Sequence, residues 1–492
     1  MRKFQLFGVL LSLLLVCCSP KQESIYIITT NDMHSSIDAF PELATLVKHY
    51  EMQGTVLIAD SGDRVSGNAY VDDAKEAGVP IIELMNAVGY DVATLGNHEF
   101  DKGHEVLNTM IERSEFEWVC ANVKSDKTPK IKPYATFNIH GVELCFVGVV
   151  TTESNGHPLG KESVYKEFTF ENDIDCAIGT GHKISQDNNF VVLLSHMGYD
   201  MDCKLANEHN DLYDWIAGGH SHDLKNEAIS ATQLSQNNKN LRYVTIAKLT
   251  VENGKIKSTE YIQEDMSKLE EDDTMRKLVD EIKLSDTSLN ETIATANADA
   301  THDGVANLTV ESLVSYNYPD GFVPEVVFYH FGGVRLSEIK KGDIRRVDIL
   351  NNDPFLSTIY IGEMTAWQMH RFILDKYNSG TPERPDKESH YPYFRSNIPY
   401  KIIVRKGIDC GMDIDWSKTV DRDLLSERKY RVAMCSYIAE SYIDKEIVES
   451  QLHDTNISVR EAMLSHMSSL TNGYTPDNTL HQTEEERFYR PL

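Results

Sequence analysis

Short apolar, β-branched runs recur through the first half of the chain, each followed by a polar loop. Ile25–Thr29, Thr55–Ala59, Asp91–Leu95, Phe190–Ser195 and Asp214–Ala217 read as buried strands. Between them lie helical patterns. One starts at Pro41, with Leu43, Ala44, Leu46 and Val47 on one face. Another starts at Pro80, carries Ile81, Ile82, Leu84, Met85 and Val88, and stops at Gly89. This alternation predicts a layered α/β domain. The strands near Lys130–Val150 read as antiparallel edge strands, and Arg242–Ile262 as a hairpin that closes the domain. Glu264–Leu284 is charged, with Met275, Leu278, Val279 and Ile282 at helical spacing, and reads as a connecting helix with a packing stripe.

From Asn290 the pattern changes. It predicts helices around Leu308–Tyr316 and Met364–Asp375, and strands at Glu325–Tyr329, Ile402–Val404 and Tyr430–Met434. A turn spans His330–Arg335. The tail from Thr475, with its run Glu484–Glu486, reads as a solvated end. No tandem repeat is visible.

Composition narrows the function classes. The chain has 492 residues, enough for two to four domains, and a formal net charge of −28. That balance excludes wrapping a nucleic-acid polymer, which needs clustered Lys and Arg. It also repels phosphorylated substrates at long range, so a phosphate site would need a local cation or Arg. Of eight cysteines, Cys120 and Cys145 sit in apolar strands, and Cys176, Cys203, Cys410 and Cys435 lack any zinc or paired spacing. The first residues read as a leader: Arg2 and Lys3, then apolar Phe4–Val16, then Cys17-Cys18-Ser19. This resembles a bacterial lipobox, with Cys18 as the lipid acceptor and Cys17, or plain secretory cleavage nearby, as alternatives. The expected location is the cell envelope, anchored to a membrane by lipid rather than spanning it.

Candidate chemistry gathers at strand ends, where open α/β sheets place ligands. Five such ends supply Asp32 and His34, Asp63, Asn97 and His98, His196, then His220 and His222. In an extended segment alternate residues point the same way, so each Asp-x-His or His-x-His pair can face one ion. Imidazole, carboxylate and amide ligands suit a divalent Zn, Mn or Fe rather than thiolate chemistry.

The series Asp32-Met33-His34, Gly62-Asp63, Gly96-Asn97-His98-Glu99, Ser195-His196 and Gly219-His220-Ser221-His222 resembles the calcineurin-like metallophosphoesterases. With the string through Asp101 and the two-part chain, it is similar to the bacterial 5′-nucleotidase and UDP-sugar hydrolase family. With the leader read as a signal peptide over 1–18 and the connecting helix placed within 263–289, that resemblance implies a four-layer α/β/β/α catalytic domain over 19–262. An α+β substrate-binding domain then covers 290–492. It also implies one metal held by Asp32, His34, Asp63 and His222, and a second by Asp63, Asn97, His196 and His220. His98, paired with Asp101, would face the phosphoryl oxygens as the catalytic pair. Two cations about 3.5–4 Å apart would clamp a phosphate, and a metal-bridging hydroxide would attack in line. Nucleoside 5′-monophosphates are the expected substrates. Cyclic nucleotides, nucleotide sugars or non-catalytic nucleotide binding are the alternatives.

In the second half Gly332-Gly333-Val334-Arg335 matches the family's Gly-Gly-x-Arg, implying an anion contact for Arg335. Phe355 and Tyr437 fall where two aromatic plates would stack a base, at about 1–3 kcal/mol each. Four departures stand out. Ser35 replaces a usual Gly and Ser357 a usual Asn. The paired Arg residues are absent around Ala306–Glu311, and Glu440–Ile443 replaces a Gly-rich loop. Phosphate chemistry is therefore expected to be intact and base recognition altered.

Overall fold

The computed structural model describes residues 22–489, apart from 129, 153–155, 159–161, 185–189, 380–393, 408–410, 417–419 and 421–423. Cys17, Cys18 and Cys410 lie outside the described residues. The first half forms two six-stranded sheets packed face to face. One sheet runs in the order Lys255–Asp265, Tyr243–Glu252, Gln22–Thr30, Thr55–Asp60, Val92–Thr94, Glu117–Val119. The other runs Leu224–Ile229, Thr232–Asn237, Trp215–Gly218, Phe190–His196, Val142–Val150, Tyr134–Ile139.

The apolar runs have a direct cause. In Gln22–Thr30 the side chains of Ile25 and Ile27 meet the opposite sheet, where Leu144, Phe146, Val192, Leu194 and Trp215 are buried. Tyr26 and Ile28 point the other way, into the helices Phe40–Glu51 and Val79–Val88. A second helical layer, Asp173–Ile184 and Tyr199–Glu208, covers the far sheet through Ala177, Leu205 and Ala206. Strands buried on both faces carry no polar alternation. The result is four layers, α/β/β/α.

Val142–Val150 is not an edge strand: it pairs antiparallel with Tyr134–Ile139 and parallel with Phe190–His196, and only Tyr134–Ile139 lies at the edge. The connecting helix runs Asp273–Ser285, with Asp272 accepting from the backbone N–H groups of Thr274 and Met275. Its Met275, Val279 and Ile282 pack on the first-half core, joined there by Val347 and Leu350 of the second half.

The second half is α+β. A mixed sheet runs Phe394–Ser396, Val326–His330, Lys429–Cys435, Thr358–Thr365, Leu452–Ser458, and a smaller one runs Gly411–Trp416, Tyr400–Gly407, Gln482–Tyr489. The helices His302–Ser315 and Val459–Ser469 pack beside the larger sheet, capped by Thr301 and Ser458. The tail is therefore not a free solvated end. Glu484–Glu486 pairs in register with Ile402–Val404, and Lys401 meets Glu485 at 3.0 Å. Charged residues suit this strand because paired charges on a solvent face support a sheet. Cys120, Cys145, Cys176, Cys203 and Cys435 are free thiols. Among the described residues no helix is long and apolar enough to cross a membrane.

Candidate metal and phosphate site

All five predicted loops leave the carboxyl ends of strands at one end of the paired sheets. Thr30 pairs with Asp60, Asp60 with Ala93, Val150 with His196, and Gly218 with Ser195, so the loops that follow start level with one another. The loops do not continue extended, as the alternation argument assumed. Asp32, His34, Asp63, His220 and His222 all have left-handed backbone, with φ of +48°, +45°, +55°, +76° and +57°. The convergence comes from tight left-handed winding, a strained conformation that Asp and His tolerate better than most residues. Ser35, where the resembled family has Gly, also sits at φ +58°. Its hydroxyl donates to Asp72 Oδ1 at 2.7 Å, which offsets the strain.

The side chains meet. Asp32 Oδ1 lies 3.3 Å from His222 Nε2 and 4.0 Å from His34 Nε2, and these two imidazole nitrogens are 3.0 Å apart. Asp63 Oδ2 lies 3.1 Å from His196 Nε2, and His220 Nδ1 faces Asn97 Oδ1 at 2.9 Å. Three groups of ligand atoms lie within 4.8 Å of one another: Asp32/His34/His222 and Asp63/His196/His220, which answer to the two expected metal sets, and His34/Asp63/His98, which straddles them. Asp32, His34, Asp63, Asn97 and His196 are buried, and His220 and His222 are half-buried.

The residues fit a divalent cation on three counts. Despite burial, His222 and His196 hold the Asp32 carboxylate down at about 2, and Asp63 is likewise held well below the usual range by His196 and His98. Against burial, Asp63 and Asp32 in turn push His196 up to about 10, so an imidazolium supplies in the bare protein the positive charge that a bound cation would bring. Burial, with His222 beside it, keeps His34 neutral, and burial also lowers His222, so both keep lone pairs for a ligand. Finally, His34 Nδ1 and His196 Nδ1 face the carbonyls of Ser66 and Ser61 at 3.2 and 2.7 Å, which points both Nε2 atoms inward. His196 Nε2 faces Asp63 Oδ2 at 3.1 Å, so the two atoms stand where they could share a cation.

His98 stands beside this cluster, with Nε2 3.9 Å from Asp63 Oδ2. Its Nδ1–H donates to Asp101 Oδ2 at 2.8 Å. Burial opposes the imidazolium, but Asp101 and Asp63 outweigh it and push His98 up to about 9. Asp101 is held in turn by the Ser66 hydroxyl at 2.6 Å.

The second half reaches the same crevice. The Phe355 ring lies 5.5 Å from the His98 ring, and the Arg335 guanidinium 5.0 Å from the centre of the Phe355 ring. Arg335 makes no ion pair among the described residues, which leaves its charge for an anion. Tyr437 is 43% exposed and rests on His330, ring centres 4.6 Å apart, without contact to Phe355 or His98. Ser357 is buried and donates to Asp353 Oδ1 at 3.0 Å, so its hydroxyl is already engaged.

Several supporting residues were not singled out from sequence. Glu99, 1% exposed, accepts from the backbone N–H groups of Asp63 and Arg64 at 3.0 Å each, and also from Gly96. Buried Arg64 bridges Glu99 and Asp60, at 3.8 and 2.8 Å. Asn31 donates to Asp32 Oδ2 at 2.7 Å, and Asp72 gathers the N–H groups of Ser66, Gly67 and Asn68. Only Glu99 carried a sequence signal, its place inside the Gly96–Asp101 string.

Comparison with known proteins finds a match for each half of the chain. Residues 25–224 match the calcineurin-like phosphoesterases, and residues 278–443 match the 5′-nucleotidase C-terminal domain. The trifunctional nucleotide phosphoesterase protein YfkN of Bacillus subtilis is 25% identical over 71% of this chain and 27% of its own length. The NAD 5′-nucleotidase of Haemophilus influenzae is 32% identical over 34% of this chain and 28% of its own. The chain thus spans under a third of these curated relatives. A 5′-nucleotidase precursor from Thermus thermophilus shares the fold, with a TM-score of 0.74 at 18% identity over 95% of this chain and all of that one.

Proposed function

We propose that this protein, which belongs to the calcineurin-like phosphoesterases and carries a 5′-nucleotidase C-terminal domain, releases phosphate from nucleoside 5′-monophosphates or closely related phosphoesters. The observation that carries this reading is the convergence of Asp32, His34, Asp63, Asn97, His196, His220 and His222 within reach of His98, Arg335 and Phe355. Two divalent cations, Zn, Mn or Fe, fit the two donor sets; when bound they supply Lewis-acid charge and an acidified water.

The chain's own residues then have defined tasks. Asp32 and Asp63 bring the negative charge that retains the cations, and the pinned imidazoles fix the geometry around them. His98, kept protonated by Asp101, faces the phosphoryl group, neutralises charge that grows on its oxygens and holds a proton for the leaving alkoxide. Arg335 adds a fixed cation where the overall charge is unfavourable, and its stacking on Phe355 keeps the guanidinium plane in place. Phe355 gives a nucleobase or sugar an apolar wall against the reacting centre. Ser357 is engaged with Asp353, so base selection here rests on other groups.

A panel of AMP, a cyclic nucleotide and UDP-glucose, run with defined metals, tests the reading. Phosphate release from AMP is expected; metal-loaded protein that turns over only the diesters would replace it. We place the chain in the envelope, lipid-bearing at Cys18; a parent protein that takes up no palmitate would remove that placement, and label that survives Cys18→Ser would move the lipid to another residue.

A further inference from the structure

Beyond the catalytic cluster, a second group of buried polar contacts lies at the seam between the halves. Arg460, on the helix Val459–Ser469, is 4% exposed. Its Nη1–H donates to Asp73 Oδ2 at 2.7 Å, and its Nε–H donates to the Asp353 carbonyl at 2.7 Å. Asp73 directly follows Asp72, whose carboxylate accepts from the N–H groups of Ser66, Gly67 and Asn68 at 2.7–3.0 Å and from the Ser35 hydroxyl. That segment orients His34 and Asp101 through Ser66. On the other side, the Asp353 carbonyl lies two residues before Phe355. Arg460 therefore clamps the start of the Phe355 loop to the segment that shapes the phosphate site. Other polar contacts reinforce the junction: Ala69 N–H donates to Asn351 Oδ1 at 2.7 Å, and the Tyr70 hydroxyl bonds Asn290.

The geometry points to Arg460 and Asp73 as a positioning pair that sets how far Phe355 and Arg335 stand from the phosphate site, and so sets the affinity for the distal part of the substrate. Neither residue touches substrate or the reacting atoms. A guanidinium is suited to the task because its planar fork meets a carboxylate and a carbonyl at once, which an ammonium cannot do in the same geometry. The consequence for substrates rests on the nucleotide reading above; the mechanical coupling does not.

Two measurements on the full-length, metal-loaded protein test the pair. The first is hydrogen exchange at residues 353–358 without ligand, in the parent, Asp73→Ala, Arg460→Ala and Arg460→Lys. Asp73 lies in the opposite half, so faster exchange there in Asp73→Ala is the expected result, and unchanged exchange would overturn the proposal. The second compares AMP with p-nitrophenyl phosphate, which lacks a base. Asp73→Ala should raise KM for AMP about tenfold, the weight of one lost charge-assisted hydrogen bond, and Arg460→Ala, which loses two, by at least as much, with kcat and p-nitrophenyl phosphate turnover near the parent's in both. Arg460→Lys should recover part of the loss, and the double variant should be no worse than Arg460→Ala alone. Losses that multiply in the double variant, or that fall equally on both substrates, would overturn it. If the parent cleaves p-nitrophenyl phosphate but not AMP, the nucleotide reading fails, and the exchange result alone decides the coupling.

Discussion

Glu99→Gln is a sharp test of the scaffold beneath the site. The Glu99 carboxylate takes backbone N–H groups from both loops that bear Asp63 and Asn97, and it faces the buried Arg64 guanidinium. Gln keeps the shape, but its amide has one accepting oxygen. In either orientation its NH2 confronts a backbone N–H, leaving at least one buried donor unsatisfied at about 1–3 kcal/mol. Removing one partner of a buried ion pair costs about 3–5 kcal/mol when nothing else compensates. Here Asp60 stays on Arg64, at 2.8 Å, and Trp118 lies under the guanidinium at 4.3 Å, so a total of about 3 kcal/mol is expected. For a domain of this size that is a fall in melting temperature of about 6–12 °C. Because the Asp63 N–H loses its anchor, divalent-metal affinity should fall about 10–100-fold. Calorimetry and a metal titration read both effects. A melting temperature within about 1 °C of the parent, with unchanged metal affinity, would refute the reasoning.

Other perturbations follow from the same geometry. A Cβ at Gly96 would lie 2.2 Å from Asp63 Oδ1 and 2.4 Å from Asp63 N, so Gly96→Ala should displace the carboxylate and weaken metal binding about 10–100-fold, measured by titration. His98→Ala should cut kcat by about 10²–10⁴-fold and leave metal content unchanged, which elemental analysis beside kinetics would show. Asp202 is buried, Ser195 donates to one of its oxygens and the other has no partner; burial pushes its pKa up to about 7. The folded chain thus keeps a proton that the unfolded chain releases near pH 4, so this stabilisation is full below about pH 4 and is lost as pH climbs through about 7. Asp202→Asn, neutral throughout, should gain melting temperature relative to the parent between pH 5 and pH 8; a constant difference across that range would contradict the assignment.

Much of the first half was legible because strands such as Gln22–Thr30 are buried on both faces, which writes an unbroken apolar run into the chain. The site was legible because its polar residues stand directly after those runs. The interior place of Val142–Val150 was not, since an edge strand with one antiparallel neighbour and a central one read alike when both are apolar. Nor was the strand containing Glu484–Glu486, whose partners Lys401 and Lys406 lie some eighty residues away. The helix His302–Ser315 begins earlier than its apolar pattern because its first turn, His302-Asp303-Gly304, is set by the Thr301 cap. The Asp73–Arg460 contact spans 387 positions, beyond any local pattern. The left-handed winding at Asp32, His34 and Asp63 is not written in the sequence, because a positive φ at a non-glycine residue carries no local signature.

The most direct test of the whole account is divalent-metal content measured together with phosphate release, on protein as purified, after chelation and after metal is returned. The account predicts about two ions per chain, activity that disappears with them and returns on reconstitution. Protein that holds no stoichiometric metal yet hydrolyses phosphoesters at full rate after chelation would contradict it.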